Sequence, residues 1–535
     1  MRTKHVAFLA LLVLLLPTWA WSATYYVDAS GGLDANPGTI GEPWQTITKI
    51  NSYATSPGFA NGDVIKLKRG ETWTSDATLG AGVTFGVNGL TIEDYGTGDL
   101  PFLDGNSQMP IYISDATLSN LTIKNIDISG QGWQVAKSDM LRVYYVDGVT
   151  LDGIYADGHY GETYNGKNCI SLRYITSGAM EVKNCTILNF GPLEIPGIMT
   201  DYMGIVFIGI TGGTISVHDN VVHDIASDCL HFTSSAPTSA IVYDNELYNG
   251  GENSIDIKGM SNITIYDNSF YREAGFTGFG GSGNQSNILS VHDPNVFGID
   301  NVVIRDNAIS GNDARAIRVN AITGTCQIYN NAITAPSLGI AINYFADNVE
   351  VHHNLFSGGV DDCIFIGEEK PAYDTKIYNN VFSECDIGSI RIVNSINDAA
   401  NSTFIIRNNI SLSPDNYHVF LGVPISTNVF SNNDYYPDGA GTFSSTEGGE
   451  DVFADWATAT GEEANSITTD PLVTSSSDFH LQSTSPCIDT GINVSLTTDY
   501  DGVAIPQGAG YDMGAYENMG LVFMNGCTIS GGSIQ

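Results

Sequence analysis

Lys258, His292 and Arg318 fall at outward positions of three short alternating segments, NSIDIK (253), ILSVHD (288) and RAIRVN (315). An ammonium, an imidazole and a guanidinium on one face can hold a carboxylate, take the proton beside it and protonate a departing oxygen. Those are the needs of β-elimination on a uronic-acid glycan. In that scheme Lys258, its pKa lowered by neighbouring cations, is the base. Arg318 or Arg315 holds the carboxylate or developing enolate, and His292 donates to the leaving group. Asp228, Glu252 and Asp256 are the expected Ca²⁺ ligands, and Ca²⁺ would bridge to the substrate. His231 and Asn320 extend the same patch as substrate contacts. The bland alternative is a surface ion-pair ladder.

These residues share a face only if their segments stack, and the sequence contains the reason for stacking. A pattern of apolar, x, apolar, polar, x, Asn, x, apolar recurs, as in IVYDNELY (241), ITIYDNSF (263), VVIRDNAI (302) and CQIYNNAI (326). The aligned Asn residues are 184, 220, 245, 268, 307, 331, 354, 380 and 409, mostly 23 to 26 residues apart. Period-2 alternation inside each copy means strand, and a fixed repeat of that length means one unit stacked many times. No helix-period segment separates the copies, so the strands must form parallel sheets around a thin apolar core. A column of Asn can satisfy backbone groups at a bend. Beside it runs an outward column including His218, Tyr243, Tyr266, Arg305 and Tyr329. Tyr243 and Tyr266 are candidate stacking contacts for sugar rings.

The chain has 535 residues, with 21 Lys plus Arg against 59 Asp plus Glu, a formal charge of −38. That balance argues against nucleic-acid and anionic-membrane partners. Arg2 and Lys4, the apolar run Val6 to Leu16, and small residues at Ala20, Ser22 and Ala23 read as a signal peptide over 1–23. Secretion as a soluble, monomeric protein is therefore expected. The eight Cys are spread widely and read mostly as small buried side chains, with Cys487 and Cys527 open to pairing.

The coils resemble the pectate-lyase-like superfamily of right-handed parallel β-helices. The N-terminal YYVDASGGLDANPGTIGEPWQTITKI (25–50) and the C-terminal DFHLQSTSPCIDTG (478–491) with TDYDGVAIPQGAGYDMGAYE (498–517) resemble the opening and closing modules of exported bacterial members. The resemblance implies an all-β, single-stranded right-handed β-helix of about 10–12 coils over 111–415. A cap and first coils occupy 24–110, with a cap helix from Trp44 to about Ala54. A closing module spans 416–518, and the tail 519–535 has no assigned role. GGENSIDIKGMSNITIYDNSF (250–270) is similar to the lysine-bearing coil of alginate lyases and chondroitinase B, which implies that Lys258 is the Brønsted base. Where that family carries an Arg-His-Gly run, this chain has His292. DDCIFIG (361–367) and SIRIV (389–393) are similar to polygalacturonase coils, but a third Asp, the Gly-His-Gly coil and the final Lys are missing. The expectation is thus a polysaccharide lyase with an acidic-polysaccharide partner. The alternatives are a non-catalytic glycan-binding or matrix β-helix and, behind it, a polygalacturonase-like hydrolase.

Overall fold

The computed structural model describes residues 22–519, apart from 75–76, 106–108, 130–138, 159–167, 192–201, 234, 274–275, 277–286, 293–297, 312–313, 335, 344–345, 368–373, 394–402, 423–427, 440 and 446–449. Residues 1–21 of the expected signal peptide, Cys527 and most of the two longest coil insertions lie outside it. No helix among the described residues is long and apolar enough to cross a membrane.

A typical coil contributes three strands, for example Asn253–Lys258, Ile263–Tyr266 and Ser269–Tyr271. Their alternation turns Ile255, Ile257, Ile263, Ile265 and Phe270 into the core, all at most 1% exposed. Stacked coils form a right-handed parallel β-helix. One side is a 15-stranded parallel sheet running from Thr24–Val27 to Val429–Ser431. The other two sides join into a 23-stranded sheet, because Leu355–Ile366 and Val381–Ile392 pass unbroken through the corner between them.

The corner after the 15-stranded sheet explains the repeat motif. The residue before each ladder Asn has left-handed backbone, as at Asp244, Asp267 and Asp306 (φ 52°, 54° and 55°), a conformation that Asp and Asn tolerate better than most residues. The ladder Asn then turns inward. Asn268 donates from Nδ2 to Val242 O at 2.9 Å and to Asn307 Oδ1 at 3.0 Å. Its Oδ1 accepts the Asn245 backbone N–H at 3.1 Å. The same contacts repeat through Asn331, Asn354, Asn380 and Asn409 to Asn433. Asn184 is not part of the ladder. It holds the left-handed position (φ 53°), and the neighbouring Cys185 takes the ladder place, its N–H donating to Asn220 Oδ1.

At the N-terminal end the helix Ile47–Thr55, capped by the Thr46 hydroxyl, buries Ile47, Ile50 and Ala54 over the first coil, as expected. At the other end a helix not expected from sequence, Phe453–Thr460, places Trp456 against Phe430 and Phe443. That helix lies within the expected closing module, 416–518, whose later part forms a strap. Residues 490–517 run back along the side of the last coils, held by Asn432 to Thr490 O, Asn408 to Ile492 O, Asn379 to Asp512 O and Gly514 O, and Asn330 to Tyr500 O. All four Asn are left-handed corner residues, a place that Asp219, Asp244, Asp267 and Asp306 hold in the four coils just before Asn330. An Asp carboxylate there would repel the strap's carbonyls, whereas the amide donates to them. Cys363 and Cys385 form a disulfide between adjacent coils, a pairing the sequence did not suggest. Cys487 is buried, with Sγ 3.1 Å from Asp434 Oδ2.

Two expectations follow. Asn307→Ala strands the Asn268 N–H and the Ile265 carbonyl, costing about 2 kcal/mol or more. The denaturant midpoint should fall accordingly, while exposed Gln327→Ala leaves it nearly unchanged. Within the strap, burial pushes Asp512 up to about 6 and Glu517 up to about 7. Because these folded values lie above the ordinary carboxylate range, docking is tightest below about pH 4 and weakens as pH rises through 6 to 7. Limited proteolysis of 490–517 across that window should accelerate with pH.

Candidate functional site

Lys258 ends a strand of the 23-stranded sheet, and the parallel register sets its neighbours. One outward row runs Tyr144, Arg173, Ile208, Thr233, Lys258, His292 on successive rungs. Two residues upstream, a second runs His231, Asp256, Ser290, Arg318. The expected pairings of His231 with Asp256 and of Lys258 with His292 are therefore present, with Arg318 one rung further on.

Asp256 is the centre of this arrangement. Its side chain is 1% exposed, with Lys258 Nζ at 3.1 Å, His292 Nδ1 at 3.3 Å and His231 Nδ1 at 3.6 Å. Burial favours the neutral acid, but His292, Lys258 and His231 outweigh it and hold the carboxyl below its ordinary range. Burial likewise favours neutral Lys258, and the Asp256 charge and hydrogen bond, helped by Asp228 and Glu252, raise its pKa instead. This corrects the expected base: crowded by carboxylates and not by cations, Lys258 stays charged at neutral pH.

The expected ion ligands are differently engaged. Asp228 Oδ2 lies 2.8 Å from His231 Nδ1, and Oδ1 accepts the Asn253 amide at 2.7 Å. Burial raises the Asp228 pKa, with the nearby Asp256 charge adding to it. Asp228, His231 and Asp256 present ligand atoms within 4.8 Å of one another, and Glu252 is not in that group. Glu252 is exposed and accepts from Ser227 Oγ at 3.1 Å. Two carboxylates, an imidazole nitrogen and an adjacent ammonium suit Ca²⁺ poorly, since Ca²⁺ takes six to eight oxygen ligands.

Among the expected substrate contacts, His231 is 2% exposed and works inside the cluster, not at its surface. Asn320 is 5% exposed; with its amide oriented to suit its neighbours, its oxygen accepts Arg318 Nε at 3.1 Å and Nη2 at 2.8 Å. Arg315 stands beside Asn287 and Asn253, at the far end of the strand from the Lys258 row. Tyr243 and Tyr266 are on the 15-stranded sheet, stacked at 5.1 Å between His218 and Arg305. They belong to a different side from Lys258. The polygalacturonase-like Asp362 is occupied by Tyr417 Oη at 2.6 Å and Arg391 at 3.4 Å.

The sequence reading missed a second charged cluster on the Lys258 side. Buried Asp139 bridges Arg142 Nε (2.6 Å) and Arg173 Nη2 (3.0 Å), next to Tyr144, Tyr145 and Tyr174. Its signal was present: Arg-x-Tyr-Tyr (142–145) and Arg-Tyr (173–174) put an aromatic where the next coil has Gly209.

Residues 203–369 match the family model described as a right handed beta helix region, and no curated protein matches the chain. Several solved structures are similar in outline. A selenomethionine derivative of GH136 lacto-N-biosidase from Eubacterium ramulus is 13% identical, covering 66% of this chain and 67% of that one, TM-score 0.43. A mannuronic acid specific polysaccharide family 6 lyase from human gut microbiota is 12% identical, covering 75% and 85%, TM-score 0.46. PfbA, a surface adhesin of Streptococcus pneumoniae, is 12% identical, covering 62% and 87%, TM-score 0.43. At these values the likeness carries no argument about chemistry.

Lys258→Met leaves buried Asp256 without its ammonium partner and should destabilise the protein by about 2 kcal/mol at pH 8. Asp256 is held below its ordinary range, so its contribution is present above about pH 4 and lost as pH falls further. The difference between wild type and variant in urea denaturation should shrink accordingly at pH 3.

Proposed function

We propose that this is an exported, carbohydrate-active β-helix protein that binds a uronic-acid-containing glycan along the Lys258 side and cleaves it by β-elimination. The observation that carries this reading is the concentration of Lys258, His292 and Arg318 in two adjacent rows over three rungs, on a chain with only 21 Lys plus Arg. The ion pair between Lys258 and Asp256 exchanges the roles that sequence suggested. Arg318 neutralises the uronate carboxylate. His292, outward on the rung next to Lys258, takes the proton from the carbon beside that carboxylate. That electron pair becomes the new double bond, the glycosidic C–O bond breaks, and charged Lys258 protonates the departing oxygen. No step is routed through Ca²⁺.

A second reading, a non-catalytic glycan-binding surface protein, is favoured by the same pairing, since Lys258 and Arg318 already have Asp256 and Asn320 as partners. Alginate, pectate and chondroitin digests followed in the near ultraviolet separate the two. The proposal expects unsaturated ends from at least one polymer, with a loss of about 100-fold in His292→Ala. Glycan retained by the protein without any unsaturated product would overturn cleavage and leave the binding reading.

A further inference from the structure

The outward row that contains Lys258 continues toward the N terminus through two uncharged residues, Thr233 and Ile208, to Arg173 and then Tyr144. Arg173 is thus three rungs from Lys258, about 14 Å along the stack. Here Tyr145 and Tyr174 are the exposed aromatic side chains among the described residues, at 51% and 44%. Their rings stack on each other, centroids 5.8 Å apart and planes 21° from parallel, and Tyr174 also stacks on Tyr144 at 5.7 Å.

Both rings are held where a bulky residue is unfavourable. Tyr145 and Tyr174 have φ of 62° and 54°, at the turn where later coils use Gly209 (φ 64°) and Gly259 (φ 69°). The Tyr174 ring reaches over Gly209, where a Cβ would come within 2.6 Å of Tyr174 Cδ1. The rings pack mainly on one another and leave about half of their surface to solvent, so core burial does not account for the choice. Two guanidiniums lie beside the platform, 5.6 and 5.8 Å from the Tyr144 ring centroid, and share the carboxylate of Asp139. Among the described residues, these two guanidiniums are paired with one carboxylate between them, on a strongly acidic chain.

We infer that this platform is a distal glycan subsite, taking a sugar ring against Tyr145 and Tyr174 while Arg142 and Arg173 recognise its carboxylate, three to four rungs from Lys258. The inference rests on the acidic-glycan reading above and extends it: the substrate is a polymer long enough to span both places. Flat apolar ring faces with a cation at the edge match a uronate, whose pyranose face is apolar and whose rim is charged.

The test is calorimetric titration of the mature protein with short and long uronate oligosaccharides, in wild type and in the Tyr145→Gly/Tyr174→Gly variant. Glycine suits the left-handed turn, so the variant should melt no lower than wild type. Its affinity for long oligosaccharides should fall about tenfold or more, and its affinity for trimers should not change. Unchanged long-chain affinity in the variant would overturn the subsite and leave the Lys258 reading intact. Length-dependent binding that the variant abolishes, without turnover in wild type, supports the subsite while sinking cleavage. Failure of wild type to bind any acidic oligosaccharide overturns both.

Discussion

Register between coils is the constraint on which everything else depends, and the inward Asn column is a large part of what enforces it. Slipping one coil by a single residue would exchange core and solvent faces along a whole strand. The ladder opposes this because each amide bonds a specific carbonyl and the next amide at the same corner. With register fixed there, side chains on another side align on successive rungs even where insertions lengthen the sequence between them. Asp256, Ser290 and Arg318 share a row for no other reason.

Much of this was legible beforehand because it follows from period. The alternation fixed which residues face outward, and the repeat fixed which coils are neighbours. Eleven strands of the 15-stranded sheet start within 111–415, in line with the expected coil number. The failures have local causes. Asn184 satisfies the motif as text, but its backbone is in the left-handed position, and pattern matching cannot separate adjacent Asn roles. The pKa direction at Lys258 depended on which charges come closest, and alignment predicted neighbours without ranking their distances. The Cys363–Cys385 pair joins adjacent coils, where every column of residues is equally near in sequence terms.

The chemistry of the cluster turns on one buried carboxylate. Asp256 stands behind Lys258 and His292, below the surface they present. Its charge and hydrogen bond favour the protonated lysine, which is why the proposed reaction uses that ammonium as the acid.

The C-terminal strap has a mechanical consequence. A stack of coils is quasi-one-dimensional, each rung touching only its neighbours, so it can fray from an end one rung at a time. Contacts such as Asn330 to Tyr500, 170 residues apart, tie rungs that are distant in the stack to one segment. That segment has no docking surface until those rungs are in place. The late coils are therefore expected to open and close as one cooperative block, with the strap as its latch, whereas coils without strap contacts keep the independence of an ordinary solenoid.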